Sequence, residues 1–128
     1  MSFKIIDNYL SKEDNLILIS RLEEINFPWF FCNKITGDDP KNLFNMQFHH
    51  TFYNDNKVNS HFFNYVDPIL KSKVGLYYVN DNNGYTVIKG KKIESKKNRM
   101  LLFNSDINHC GTNSTNCRNR MVINFNYF

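Results

Sequence analysis

The sequence has few cysteines, prolines and glycines and no long apolar run. Its three cysteines are an odd number without the spacing of a disulfide framework. This excludes a disulfide-rich secreted domain and suits a reducing compartment. No apolar run approaches the roughly 20 residues of a membrane-spanning helix. Acidic side chains near the N-terminus, without an apolar block, are not typical of a signal peptide. We therefore expect a cytoplasmic protein without a membrane partner.

Aromatic side chains are plentiful. Twelve Phe and seven Tyr in 128 residues predict one ordered domain, 1–128, with its own core. We expect residues 1–73 to be mainly helical support with edge strands and 74–128 to be an antiparallel β core. The net charge of +4 includes lysines within 89–92 and 95–99. We interpret them as a solvated face of the domain and not as a nucleic-acid site, because nucleic-acid-binding domains concentrate positive charge more strongly.

The N-terminal half predicts helices with short strands. Residues 3–6 have a strand pattern, and Ser11 followed by Asp14 indicates the start of a helix over about 12–26. A strand is predicted within 44–53. A second helix is predicted over 59–72, kinked or restarted at its proline.

The C-terminal half predicts consecutive antiparallel strands. Strands over 74–80 and 85–89 are expected to form a hairpin around an Asn-Gly turn, and Gly90 permits a second reversal. Further strands are predicted at 92–95, 99–105 and 120–128, with His109 in a loop. This order favours an α+β fold, either a helix-backed β-sandwich or a barrel.

The last strand has two different faces. Alternation places Met121, Ile123 and Phe125 on an apolar face that we expect to pack. Arg120 and Asn124 share the opposite face. A polar strand face of this kind is expected where the strand lines a concave binding site, and equally where it is exposed to solvent.

Several motifs follow one another in the C-terminal half. They are Tyr-x-Asn at 78–80, Gly-Tyr-Thr at 84–86, Arg-x-Leu-x-Phe-x-Ser at 99–105, His-x-Gly at 109–111 and an Arg opening the last strand. In this order and spacing, residues 77–128 resemble the C-terminal half of the iron(II)/2-oxoglutarate-dependent dioxygenases, especially small phage- and marine-type members.

The resemblance implies a double-stranded β-helix, a jelly-roll barrel or a truncated version of it, backed by N-terminal helices. It implies oxidative hydroxylation of an unidentified substrate, with Fe(II) and 2-oxoglutarate as cofactors. His109 would be the distal ligand of a 2-His-1-carboxylate iron site. Arg120, or as second choice Arg118, would pair with the distal carboxylate of 2-oxoglutarate. Tyr78 and Asn80 would line the cofactor site.

The sequence departs from this family in lacking a His-x-Asp or His-x-Glu pair before the distal histidine. That pair would supply the other two iron ligands. The alternative is a non-catalytic binding or structural module, whose open sheet edges would pair with a second copy or a partner. A third interpretation is that the sequence as given lacks a natural segment around Lys71 to Val74.

Other histidine and cysteine sites have weaker support. A zinc site of Asp106, His109, Cys110 and Cys117 lacks the usual ligand spacing. A Cys110 nucleophile activated by its neighbour is disfavoured, because adjacent residues rarely orient each other as thiolate and base. The remaining histidines at 49, 50 and 61 are interpreted as structural.

Overall fold

A computed structural model describes residues 3–32, 47–54, 57–62, 64, 66, 75–104, 106–117 and 119–125. Within them lie one α-helix, α1 at Lys12–Leu22, and eleven short strands. The strands are β1 Lys4–Ile6, β2 Phe30–Cys32, β3 Gln47–His49, β4 Tyr53–Asn54, β5 Lys57–Val58, β6 Gly75–Tyr78, β7 Tyr85–Ile88, β8 Lys91–Glu94, β9 Arg99–Leu102, β10 His109–Gly111 and β11 Val122–Phe125.

Two antiparallel sheets form the body of the described structure. One has four strands in the order β1-β9-β6-β11, and the other has three in the order β10-β7-β8. The pairs β2–β3 and β4–β5 are separate two-stranded ribbons. The predicted α+β class is confirmed at this level. The described strands do not close into a barrel, since the two main sheets share no strand pairing.

Adjacent tyrosines show how the layers are arranged. Successive side chains of a strand point to opposite faces of its sheet. Tyr77 belongs to a core cluster with the buried side of α1, which includes Leu18 and Leu22. Tyr78 belongs to a second cluster that includes Ile88 and Ile93 of the three-stranded sheet. The four-stranded sheet is therefore covered by the helix on one face and by the smaller sheet on the other.

Helix α1 begins where the sequence predicts. The Ser11 side chain accepts a hydrogen bond of 3.0 Å from the backbone N–H of Asp14, which satisfies one of the free donors of the first turn. The helix ends at Leu22, four residues before the predicted end. The predicted end lies later because Ile25 continues the helical spacing of apolar residues. Ile25 is 98% exposed, however, so its place in that pattern does not reflect packing against the core.

A buried polar cluster joins the N-terminal segment to the sheet. The Asn98 side-chain oxygen accepts from the backbone N–H of Leu10 at 2.7 Å and from the Tyr77 hydroxyl at 2.8 Å. Its amide donates back to the Leu10 carbonyl at 2.7 Å. The Tyr77 hydroxyl in turn accepts from the Asn15 amide at 2.6 Å. These bonds fix α1 over the four-stranded sheet, because each satisfies a group removed from water.

The predicted hairpin between 74–80 and 85–89 is wrong. Strand β6 pairs with β9 and β11, whereas β7 pairs with β8 and β10, so the two strands lie in different sheets. A two-residue Asn-Gly turn needs positive φ at both residues, and neither Asn83 nor Gly84 has one. The reversal predicted at Gly90 is confirmed, since Lys89 and Gly90 have φ of 49° and 72° between β7 and β8.

The predicted helix over 59–72 falls partly outside the described residues. Its first part, 59–62, forms a turn and not an α-helix. The Ser60 hydroxyl accepts there from the backbone N–H of Phe62 at 3.1 Å, which favours a local turn over a helical ladder. The described part of the chain contains no helix with the length and apolarity needed to span a bilayer.

Candidate carboxylate site

Arg120 lies at the entrance to β11, between the two sheets. Its Nε donates to the hydroxyl of Ser95, at the end of β8, over 3.3 Å. A β-carbon on Gly84 would lie 2.6 Å from both Cδ and Nε of this arginine. The side chain can therefore enter the space between the sheets only because residue 84 has no side chain of its own.

The two terminal nitrogens of Arg120 face the space in front of Gly111. A β-carbon built on Gly111 would be 3.8 Å from Nη1 and 3.9 Å from Nη2. Neither nitrogen has a hydrogen-bond partner among the described residues, and none of those residues contributes a carboxylate in salt-bridge distance of this guanidinium. Every fully buried side-chain nitrogen or oxygen of the described residues has a hydrogen-bond partner. Since the two terminal nitrogens of Arg120 have none among these residues, they are not fully buried and remain accessible to solvent. This fork of donors is the geometry that binds a carboxylate through two hydrogen bonds.

Burial affects the charge of this site. Burial lowers the pKa of Arg120, because removing the guanidinium from water disfavours its charged form; the nearby Tyr78 and Cys117 oppose this effect. An arginine keeps its charge even so. A half-buried cation without an acidic partner among the described residues is costly to maintain, and a bound anion would compensate it.

Tyr78 belongs to the second core cluster and lies close enough to Arg120 for their charges to interact. Its side chain is fully buried, and its hydroxyl donates to the Thr86 hydroxyl at 2.7 Å, across the space between the sheets. Burial raises the pKa of Tyr78, while its hydrogen bond to Thr86 and the charges of Arg120 and Arg99 lower it. Its proton is already used by Thr86 and its side chain has no exposed surface, so Tyr78 presents neither a donor nor a ring face to a ligand in this structure.

Asn80 positions the backbone that carries Arg120. Its amide donates to the Asn119 carbonyl at 2.5 Å, and its oxygen accepts from the backbone N–H of Met121 at 3.1 Å. These bonds flank Arg120 on both sides in the chain. Asn80 therefore acts through the arginine and not by contact with a ligand. The second candidate, Arg118, lies outside the described residues.

His109 lies in a strand, not in the predicted loop. It opens β10 and pairs in register with Ile88. Its ring packs edge-on against Phe103, with centroids 4.6 Å apart. The Nδ1 atom lies 3.1 Å from the Ile107 carbonyl, which can only accept, so Nδ1 carries the proton of the neutral ring. This leaves Nε2 as a free acceptor, with no hydrogen-bond partner among the described residues.

The structure brings His109 and Arg120 to the same side of β10. Residues 109 and 111 are two apart in the strand and so share a face, about 7 Å apart along it. The residues opposite them in β7, Ile88 and Thr86, are buried, which shows that this face looks toward the four-stranded sheet. The guanidinium reaches the Gly111 end of this face, and the imidazole lies at the other.

An iron site of three protein ligands does not fit the described side chains. They include all four histidines, and they contain no group of three His, Cys, Asp or Glu side chains able to hold a metal ion. The other three histidines line a separate cleft of about 270 Å³ with Pro28 and Phe62. There His50 uses both ring nitrogens, on the Pro28 carbonyl at 2.8 Å and the Ser60 hydroxyl at 2.7 Å.

Sequence reasoning missed the three small residues that shape the site. Ser95 holds Nε of Arg120, Gly84 makes room for its side chain, and Gly111 leaves the space in front of it open. The two glycines were visible as parts of motifs, but their role depends on long-range packing. Nothing in the sequence marked Ser95 as a functional residue, because serines are common at the ends of exposed strands.

Comparisons with known proteins do not add to this picture. No family model matches the chain, and no curated protein or solved structure matches it either.

Proposed function

We propose that the chain is a carboxylate-binding module whose ligand is a small dicarboxylate of the 2-oxoglutarate class. The observation that carries this proposal is the half-buried guanidinium of Arg120, with two accessible nitrogens that have no protein partner among the described residues. A planar fork of donors matches one carboxylate. In this proposal the two sheets are a truncated relative of the jelly-roll barrel of the iron(II)/2-oxoglutarate oxygenases, without its iron chemistry.

Calorimetric titration of the full chain with 2-oxoglutarate, in the absence of metal, tests the proposal. We expect saturable binding by the wild-type chain and binding at least about tenfold weaker in Arg120→Met, equivalent to about 1.4 kcal/mol. Lys12→Met, at an exposed position of α1, is the control and should bind normally. Undiminished affinity in Arg120→Met would refute the assignment of this arginine.

A second variant blocks the site without removing its charge. Gly111 is exposed, and a β-carbon added there would lie 3.8 Å from the nearest guanidinium nitrogen of Arg120. A leucine there would occupy the position that the carboxylate needs. Gly111→Leu should therefore abolish 2-oxoglutarate binding while the urea midpoint of unfolding changes little. Normal binding by this variant would contradict the proposed ligand position.

An active oxygenase is the second candidate, favoured by one observation. His109 and the Arg120 guanidinium share one face of β10, and Nε2 of His109 is free to accept or to ligate. At least one further iron ligand would have to come from outside the described residues, which contain no group of three suitable side chains. Anaerobic titration with Fe(II) tests this, together with succinate formation in air. Stoichiometric binding that His109→Ala abolishes favours the oxygenase, and no binding favours the module.

The module proposal also includes pairing of an open strand edge with a second copy of the chain. In the described part, β11 pairs on one side with β6 and β10 pairs on one side with β7. Unpaired edges of this kind readily accept another strand. Light scattering of the full chain measures this directly, and a clean monomer would count against it.

A further inference from the structure

A second cleft, of about 340 Å³, lies at one end of the three-stranded sheet. The loop that connects β6 to β7 forms one wall, and the end of β8 forms another. Its lining includes Asp81, Asn83, Lys92, Glu94, Ser95 and Asn116, and we call it the asparagine cleft. Its volume is at the lower end of the range of small-molecule sites, so it suits one small ligand.

The walls of this cleft are held in place before any ligand binds. The backbone N–H of Asn83 donates to the Asn116 side-chain oxygen at 2.8 Å. The Asn83 amide donates to the Thr115 hydroxyl at 2.7 Å, and its oxygen accepts from the Thr115 backbone N–H at 2.8 Å. Two loops far apart in the chain are thus joined by three hydrogen bonds. Such preorganisation lowers the entropy that binding must offset.

One buried group at the floor of the cleft has an unused donor. Ser95 is only 5% exposed, and its oxygen accepts from Nε of Arg120. The hydroxyl proton of Ser95 has no acceptor among the described residues. A buried donor without a partner is unfavourable, so this proton favours a ligand with an acceptor oxygen at the floor.

The rest of the cleft mixes unused donors and acceptors. Asp81 accepts from the backbone N–H of Lys97 at 2.8 Å through one oxygen, which leaves the other free. In the described part of the chain, neither the Glu94 carboxylate nor the Asn116 amide nitrogen has a hydrogen-bond partner. Lys92 places its ammonium 4.4 Å from the centre of the Tyr85 ring and keeps its N–H donors.

We propose that the asparagine cleft binds a neutral polyhydroxylated small molecule, a sugar or polyol. A hydroxyl group both donates and accepts, so neighbouring hydroxyls can satisfy Glu94 and Asp81 while they accept from Ser95 and Asn116. The two carboxylates repel an anionic ligand, and Lys92 beside them weakens the attraction for a cationic one. This proposal does not rest on the carboxylate site, although Ser95 adjoins both.

Titration of the full chain with glucose, galactose, ribose and glycerol, followed by amide chemical shifts, tests the proposal. We expect saturable shifts at residues 81–83, 94–95 and 116 with at least one of these probes. No shift there at saturating concentrations of all four would overturn it. Saturable binding of spermidine or glutamate in the cleft, without binding of any polyol, would also overturn it.

Two isosteric variants and a control make the test specific. Glu94→Gln removes a charged acceptor on an exposed strand position, and we expect about tenfold weaker binding, as for a lost hydrogen bond to a charged group. Asn116→Asp keeps the oxygen that accepts from Asn83 and removes the amide donor, so binding should weaken about fivefold. Asp106→Asn, exposed and not among the cleft residues, should bind normally. Unchanged affinity in both variants would place the polyol elsewhere.

Discussion

Arg120 lies directly against Gly84, so that a β-carbon at residue 84 would fall 2.6 Å from its Cδ and Nε. This contact joins the loop after β6 to the entrance of β11. It holds the guanidinium between the sheets, where the Ser95 hydroxyl accepts from Nε. The position of the Arg120 guanidinium in the proposed carboxylate site therefore depends on a residue that has no side chain.

Substitution of this glycine should reduce binding more than stability. In Gly84→Ala the arginine must move, because real atoms do not approach to 2.6 Å, and we expect about tenfold weaker 2-oxoglutarate binding, or about 1.4 kcal/mol. Calorimetry measures the affinity, and urea unfolding measures stability. Lys12→Met, at an exposed position of α1, is the control and should bind normally. Equal losses in the two variants would contradict this account.

The ion pair between Asp7 and Arg99 predicts a loss of stability in acid. Asp7 accepts from Nε of Arg99 at 2.6 Å and from Nη2 at 3.1 Å, and Lys96 adds a third contact at 3.2 Å. The hydrogen bond from Arg99 lowers the pKa of Asp7 from 3.8 to about 2. Because the folded pKa is depressed, the stabilisation is complete above the ordinary value and is lost as the pH falls through the folded one.

Asp7→Asn should lower the free energy of unfolding at pH 7 by about 1 kcal/mol, since Asp7 is partly exposed and solvent screens the pair. Urea titrations at neutral pH and between pH 4 and 2 measure this difference, which should shrink as the pH falls. Asp106→Asn, exposed and without a described ion pair, serves as the control. A difference that is constant across this range would rule out the ion pair as its cause.

Tyr77 predicts a loss of stability in alkali. Burial raises its pKa from 10.0 to about 12, although the hydrogen bond with Asn15 lowers it. The unfolded chain therefore loses this proton first, so the stabilisation is complete below the ordinary pKa and disappears as the pH rises through the folded one. Tyr77→Phe should make the alkaline decline in stability shallower. Burial also raises the pKa of Tyr78, so this residue should still cause part of the alkaline decline in stability in the Tyr77→Phe variant.

At neutral pH the same variant should lose about 1–3 kcal/mol, because the Asn15 amide, only 2% exposed, loses its acceptor. Urea unfolding at neutral and alkaline pH measures both effects. Tyr85→Phe, at a partly exposed position without a described hydroxyl contact, is the control and should leave the stability at neutral pH unchanged. An unchanged alkaline slope in Tyr77→Phe would refute the link to this hydroxyl.

Asn98 should be the most sensitive position of the polar cluster. It is 6% exposed, has φ of +62°, and makes three side-chain hydrogen bonds to Leu10 and Tyr77. Asn98→Ala should cost roughly 2–4 kcal/mol, from lost hydrogen bonds and from a left-handed backbone. Asn8→Ala is the control for backbone strain alone, since Asn8 has φ of +52° and is exposed. Equal urea midpoints in the two variants would show that the hydrogen bonds contribute little.

Local patterns in the sequence predicted most elements but not their partners. The Ser11 cap and the apolar spacing after it are local, so the start of α1 was predicted correctly. The pattern around Asn83 and Gly84 was misread, because a turn type depends on φ values that hydrogen bonds to Asn116 and Thr115 influence. A second helix was predicted over 59–72 from spacing alone, and its first turn is instead bonded through Ser60.

In the candidate site, too, residue types could be predicted from the sequence, whereas their spatial arrangement could not. Arg120 and His109 could be singled out from the sequence, because their residue types limit the chemistry that they can perform. Their placement on one face of β10, the space at Gly111 and the support from Ser95 were decided by the packing of one sheet on the other. Side-chain chemistry and local backbone preference are properties of a residue and its neighbours in the chain. Which distant strands meet, and which small residues leave room between them, depends on the free energy of burying both sheets together.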